Sequence, residues 1–259
     1  MLKREVWWPF ILGELMEVWD WFLYFLMPFA AFMYASVGHG GASSYLMILA
    51  LMGFAPEEIR PSALILNMFV SMISFLNYRK SGVFPTKLFL SLTIFSIPAA
   101  YLGGTILLDT GIYKQVLGVL LLFPVLRFAG VFPISETSRI GQKWWMAPIL
   151  GFAIGLLSGM IGIGGGIILS PIVLMLGWAG VKETAALSAL FIFLNSVAGF
   201  LGASVFHIEF STQLWILLPL TVAGGALGAY LGAQKFSPKA LKYLLAFVLA
   251  FAAVKLIVG

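Results

Sequence analysis

The sequence predicts an all-α polytopic membrane protein built from two inverted-topology repeats, each a glycine-broken helix pair followed by three further transmembrane helices. Three observations predict it. Of 259 residues, 61% are hydrophobic and 10% charged, with mean hydropathy +1.05, whereas soluble domains carry about 25% charged residues. Two glycine clusters, 38–44 and 162–166, stand at matching places in the chain. The polar loops of the two halves carry opposite charge bias, as set out below.

Residues 1–17 read as an N-terminal interfacial segment, where Trp7 and Trp8, with Trp19 and Trp21 beyond, suit an aromatic belt. The acids Glu14, Glu17 and Asp20 and the Trp-Trp-Pro stretch disagree with a cleaved signal peptide, so no cleavage is expected. The first repeat, 18–129, holds an apolar run at 18–37, the break, a short run at 43–53, and long runs at 61–78, 87–108 and 113–129. A polar linker, 130–146, carries Pro133, Glu136, Arg139 and Lys143 and is expected on the cytoplasmic side. The second repeat, 147–259, follows the same order: 147–161, the break, 167–177, then 184–206, 213–233 and 239–258. The two short runs are too short to cross a hydrocarbon core as helices. Ser62-Ala63-Leu64 with Asn67 is echoed by Ser188-Ala189-Leu190 with Asn195, with a two-residue shift of the asparagine.

Loop charge sets the orientation. The loop after the third apolar element of the first half carries Arg79, Lys80 and Lys87, while its counterpart holds His207 and Glu209. In the next loop Asp109 and Lys114 cancel, whereas Lys235, Lys239 and Lys242 gather. Because Lys and Arg stay cytoplasmic, halves with opposite bias insert upside down relative to one another. Both termini are then expected outside, provided each long-plus-short pair starts and ends on one face, re-entrant or as two crossings.

Backbone groups freed inside a membrane cost several kcal/mol each unless protein or water satisfies them, so such breaks must be enclosed or line a cavity. Glycine lets backbone N–H groups approach a ligand closely, and a helix starting just after each break presents unpaired amides and a positive dipole end. Two such breaks meeting near the midplane make an anion site. Its candidate residues are His39, Gly40, Gly41, Ser43, Ser44 and Asn67 from the first half, and Gly164, Gly165, Gly166, Ser170 and Asn195 from the second. The plainer reading of the glycines is close helix packing, and that of Asn67 and Asn195 is helix-to-helix bonding. His39 has a proton-sensing reading and a packed one. Arg60, beside Glu57 and Glu58, reads as part of a solvated outer loop, and Arg127 as an orientation signal.

The absence of cysteine excludes disulfides and thiolate chemistry. No metal or other cofactor is expected: no P-loop or dinucleotide fingerprint occurs, and no clustered histidines or carboxylates lie in the apolar runs. The net charge of +5 sits in short loops, where it orients the chain rather than binding nucleic acid.

The stretch Met160-Ile161-Gly162-Ile163-Gly164-Gly165-Gly166 with Pro171, Gly177, Leu187-Ser188-Ala189-Leu190 and Asn195-Ser196 resembles the second-half signature of the TauE/SafE sulfite exporter family. Val37-Gly38-His39-Gly40-Gly41-Ala42-Ser43 with Arg60-Pro61-Ser62-Ala63-Leu64 and Asn67 is similar to its first-half counterpart, apart from Ala42 at a common glycine position and Met47 at a common proline. The resemblance implies a transporter in the bacterial inner membrane that moves sulfite, sulfonates or related anions, commonly outward. The expectation is therefore a secondary transporter, not an enzyme, with a small anion and membrane lipid as partners, a proton or sodium ion as candidate coupling ion, and a homodimer as candidate assembly. A passive anion channel, an intramembrane serine hydrolase using Ser43 with His39 or His207, and a non-transporting scaffold are the competing readings.

Overall fold

The structure, a computed structural model, describes residues 8–51, 56–80, 84–106, 145–205 and 212–237 together with a few isolated positions. Among these residues the secondary structure is helical: α1 (Trp8–Ala35), α2 (Ala42–Leu51), α3 (Pro56–Tyr78), α4 (Thr86–Gly104), α5 (Met146–Ile161), α6 (Gly166–Met175), α7 (Val181–Ala203) and α8 (Thr212–Gln234). Four stretches are long and apolar enough to cross a membrane: Glu58–Tyr78, Thr86–Gly104, Val181–Ala203 and Leu214–Gln234. At 1.5 Å per residue the ten-residue α2 and α6 are about 15 Å long, half of a roughly 30 Å hydrocarbon layer. The expected run 113–129, most of 239–258, and most of the linker lie outside the described residues, as do His207 and the outermost N-terminal residues.

Helix α1 begins at Trp8 and runs without interruption to Ala35, through most of residues 1–17. Nothing from residue 8 to 17 stops a helix once Pro9 occupies its first turn, where a missing N–H is no loss.

The bundle is apolar outside and polar within. Trp21, Phe25, Phe95, Trp145, Trp215 and Leu227 stand exposed, a face that suits lipid and exceeds what a water-soluble monomer tolerates. Asn67, Ser96, Ser158, Ser188, Asn195 and Ser196 are fully buried. Helix α1 packs on α8, α4 on α5, and α3 on α7 at the centre; α3 also meets α8, α4 meets α7, and the short α2 and α6 lie on α3 and α7.

Lipid tails are as apolar as leucine, so helices associate by close contact more than by water exclusion. Two glycine ladders supply that contact. On α5, a Cβ at Gly151, Gly155 or Gly159 would overlap the carbonyl of Leu92, Ser96 or Ala100 of α4. On α8, Gly224, Gly228 and Gly232 stand in the same relation to Pro28 and Phe32 of α1 and to Ser36 just beyond its end. The four-residue spacing keeps each set on one helix face.

Basic side chains tie helix starts to helix ends. Arg60, in the first turns of α3, is buried and donates to the carbonyls of Gly103 (3.2 Å), Gly104 (2.8 Å), Ile106 (3.0 Å) and Gly159 (2.5 Å). This corrects its reading as a solvated loop residue: the chain turns helical at Pro56, which carries Arg60 inward onto the C-terminal ends of α4 and α5. Lys182, in the first turn of α7, donates in the same way to the Ala233 carbonyl near the end of α8, at 2.8 Å.

Candidate functional site

The chain leaves α1 after Ala35 and resumes as α2 at Ala42; it leaves α5 after Ile161 and resumes as α6 at Gly166. Gly38 and Gly41 in the first interruption have φ of 82° and 96°, and Gly162, Gly164 and Gly165 in the second have 88°, 73° and 79°. These are left-handed conformations that a Cβ disfavours, which is why both turns fall on glycine.

The two interruptions are neighbours, and Asn67 of α3 lies between them. A Cβ on Gly40 would overlap Asn67 Oδ1, and one on Gly164 would overlap Asn67 Nδ2. The Asn67 carbonyl oxygen accepts from the Ala42 amide at 3.3 Å, and its Nδ2 donates to Ser196 Oγ of α7 at 2.9 Å. One side chain from the first half thus bonds the start of α2 and a helix of the second half.

His39 makes the second bridge. Its Nε2 lies 3.1 Å from the Gly166 carbonyl and 3.1 Å from Ser170 Oγ, which is in turn 2.6 Å from Ser188 Oγ. A carbonyl only accepts, so Nε2 carries the proton. Nδ1 is buried and makes no hydrogen bond among the described residues.

The remaining predicted residues have local partners. Ser43 Oγ donates to the Tyr34 hydroxyl at 3.0 Å, and the Tyr45 hydroxyl donates to the Gly40 carbonyl at 2.6 Å. The Ser44 amide closes on the Gly41 carbonyl at 3.0 Å. Asn195 turns away from the bridge: its Nδ2 donates to the Phe191 carbonyl of its own helix at 2.8 Å, and its Oδ1 has no partner among the described residues. Gly165 is hemmed in, since a Cβ there would stand 2.8 Å from Ile154 Cγ2. Every residue from Tyr34 to Leu46 and from Ile161 to Pro171 is buried, so this arrangement is closed to both faces.

Tyr34, Tyr45, Ser188 and Ser196 join the constellation without having been singled out for it. Ser188 and Ser196 both stand within the repeated Ser-Ala-Leu to Asn stretch, and that was the available signal. The tyrosines carry none, because an aromatic on an apolar helix reads as core or lipid face. The pairing of Ser43 with His39 that a serine nucleophile requires is not the one formed: Ser43 meets Tyr34, and His39 meets Ser170. No group of three or more metal-ligating side chains occurs among the described residues.

Comparison with known proteins gives concordant results. The family profile described as "Sulfite exporter TauE/SafE" matches residues 23–256. The "Probable membrane transporter protein y4hK" of Sinorhizobium fredii is 34% identical over 235 residues, covering 88% of this chain and 94% of that protein. The "Probable membrane transporter protein MJ0441" of Methanocaldococcus jannaschii is 27% identical over 192 residues, 69% of this chain and 71% of that one. No solved structure matches. An apolar helical bundle with these matches is an integral membrane transporter, and the chain belongs to the sulfite exporter TauE/SafE family.

Proposed function

We propose that this protein is a secondary transporter of small sulfur-containing anions, sulfite or organosulfonates, working outward across the bacterial inner membrane, with its anion site at the paired interruptions. The observation that carries the reading is Asn67 between Gly40 and Gly164, beside amides of Gly41, Ser43, Gly166 and Ile167 that reach no acceptor among the described residues. A buried donor left unmade costs about 1–3 kcal/mol. Several of them at the starts of two short helices suit a guest made of acceptors, and an oxyanion is such a guest.

The packing supports a two-fold repeat, and the opposite loop charge of the halves supports their opposite topology. Exchanging α1–α4 with α5–α8 turns the α1–α8 contact into α5–α4, α3–α8 into α7–α4 and α2–α3 into α6–α7, and leaves α3–α7 unchanged. On this reading the halves rock about α3 and α7 and open the closed site to each face in turn. Energy comes from the membrane potential or an ion gradient, and no chemical step is assigned.

A thermal-shift screen of the purified full chain against sulfite, thiosulfate, sulfate, sulfoacetate and taurine tests the site. Sulfite or a sulfonate should raise the melting temperature; a hundredfold excess over Kd contributes about 2.7 kcal/mol. Asn67→Leu, similar in length but without donor or acceptor, should remove that shift. Counterflow in proteoliposomes then separates a carrier from a channel, which shows none. Absence of any anion-dependent shift, or its survival in Asn67→Leu, would overturn the assignment. Gly165, though within the site, makes a poor probe, because any side chain there strains both backbone and packing.

A further inference from the structure

Resting on that transport reading, we propose that anion binding takes up one proton at Nδ1 of His39, so that anion and proton occupy the site together. The geometry is specific. The Gly166 carbonyl holds the Nε2 proton in place, which leaves Nδ1 as a bare acceptor, buried and without a hydrogen bond among the described residues.

An imidazolium at this position faces the first residue of α6, where the helix dipole is also positive. Like meets like, so the charged ring is disfavoured in the empty site. An anion without the proton leaves a net charge buried, which is equally costly. Bound together, the anion offsets the ring and the helix end, and the loaded site is neutral.

Among the described residues no other ionisable group is placed for this role. Tyr34 and Tyr45, the titratable side chains on α1 and α2 nearest the ring, engage Ser43 and the Gly40 carbonyl. From α6 and α7 the ring meets Ser170 and, through it, Ser188. The described charged groups of α3 and α7 are directed elsewhere: Arg60 to carbonyls of α4 and α5, Lys182 to Ala233, Glu183 to the Gly180 amide, and Glu58 to the groove lined by Leu49 and Leu217. A monovalent sulfonate moving with this proton crosses without net charge, so its direction follows the anion and proton gradients and not the voltage.

The test uses methanesulfonate, which stays ionised throughout, so any proton exchanged belongs to the protein. With the full chain in weakly buffered detergent at pH 8, where an ordinary histidine is neutral, an indicator dye should record about one proton taken up per anion bound. By linkage, affinity should fall about tenfold for each further pH unit. His39→Gln keeps an amide donor for the Gly166 carbonyl and should bind with neither proton uptake nor pH dependence. His207→Gln, the change at the chain's other histidine, should preserve both, and this arm decides even if His39→Gln fails to fold. Binding without uptake in the parent, uptake that survives His39→Gln, or uptake lost in His207→Gln would each overturn the proposal. Failure of the parent to bind methanesulfonate or to be stabilised by it would instead strike the sulfonate-transport reading, and this inference would fall with it.

Discussion

Replacing Arg60 with methionine removes a guanidinium shared by four carbonyls: Gly103, Gly104 and Ile106 around the end of α4, and Gly159 in the last turn of α5. Its Nη2 faces three of those oxygens with two hydrogens, so the fork makes about three full bonds. Hydrogen bonds to charged groups contribute roughly 1.5–3 kcal/mol each, but an orphaned carbonyl is tolerated better than an orphaned N–H, and methionine restores the apolar stem. The two helix ends also present about half a negative charge each, which the single cation balances. The net loss expected is about 3–4 kcal/mol, or roughly 10 °C in melting temperature at about 2–4 °C per kcal/mol. Arg60→Lys keeps the charge but not the fork and should lose about half as much. Thermal melts of both variants in detergent, at low and high salt, measure this, and the loss should be insensitive to salt because the group is buried. An Arg60→Met variant within about 2 °C of the parent, or one whose deficit disappears at high salt, would return Arg60 to the solvated role its neighbouring glutamates suggest.

Gly155→Leu and Gly228→Leu force side chains into the Ser96 and Phe32 carbonyls, and each should cost more than the roughly 1–3 kcal/mol of ordinary overpacking, seen as loss of a monodisperse peak. Gly180→Ala meets only ordinary contact with Glu183 at 3.5 Å and should stay within about 0.5 kcal/mol of the parent; equal tolerance at all three positions would refute the glycine ladders. Ser43→Ala forfeits one bond to Tyr34, about 1 kcal/mol, and should leave anion flux in place. Ester or peptide cleavage by the parent that vanished in Ser43→Ala would restore the hydrolase reading.

The helical, membrane-spanning character was readable because lipid imposes it: long apolar runs become helices when every backbone group must be satisfied internally. The interruptions were readable for a related reason, since a turn with positive φ selects glycine almost uniquely, and Gly41, Gly164 and Gly165 all adopt it. What the sequence hid was pairing. Asn67 stands five residues after Ser62 and Asn195 seven after Ser188, and a shift of two residues turns a helix by about 200°, so one bridges the two interruptions and the other bonds its own helix. Ile192, which crowds Gly164 and Gly166, fills space on the second half's side that the amide of Asn67 fills on the first. The ladders at Gly151, Gly155 and Gly159 and at Gly224, Gly228 and Gly232 are present in the sequence as four-residue spacing, which marks a close-packing face without naming the helix that meets it. Arg60 was misread because three charged residues in four positions look like a loop, and only the helix start at Pro56 turns one of them inward.

The closed arrangement bears on how an anion could enter. Asn67 and the Nε2 of His39 bond the two interruptions and α7, so part of the arrangement is satisfied by protein. On the proposed reading, binding is partly an exchange: the guest accepts from the amides of Gly41, Ser43, Gly166 and Ile167 and also replaces Asn67 Oδ1 as the acceptor of the Ala42 amide. The bond most easily surrendered is the long one, 3.3 Å from the Ala42 amide to Asn67 Oδ1, because distance near the limit weakens it most. Releasing it frees the start of α2 while Asn67 keeps its 2.9 Å bond to Ser196 across the halves. On that reading the guest leaves by the reverse exchange, with Asn67 taking the amide back. That is the property a carrier needs and a tight binding protein does not.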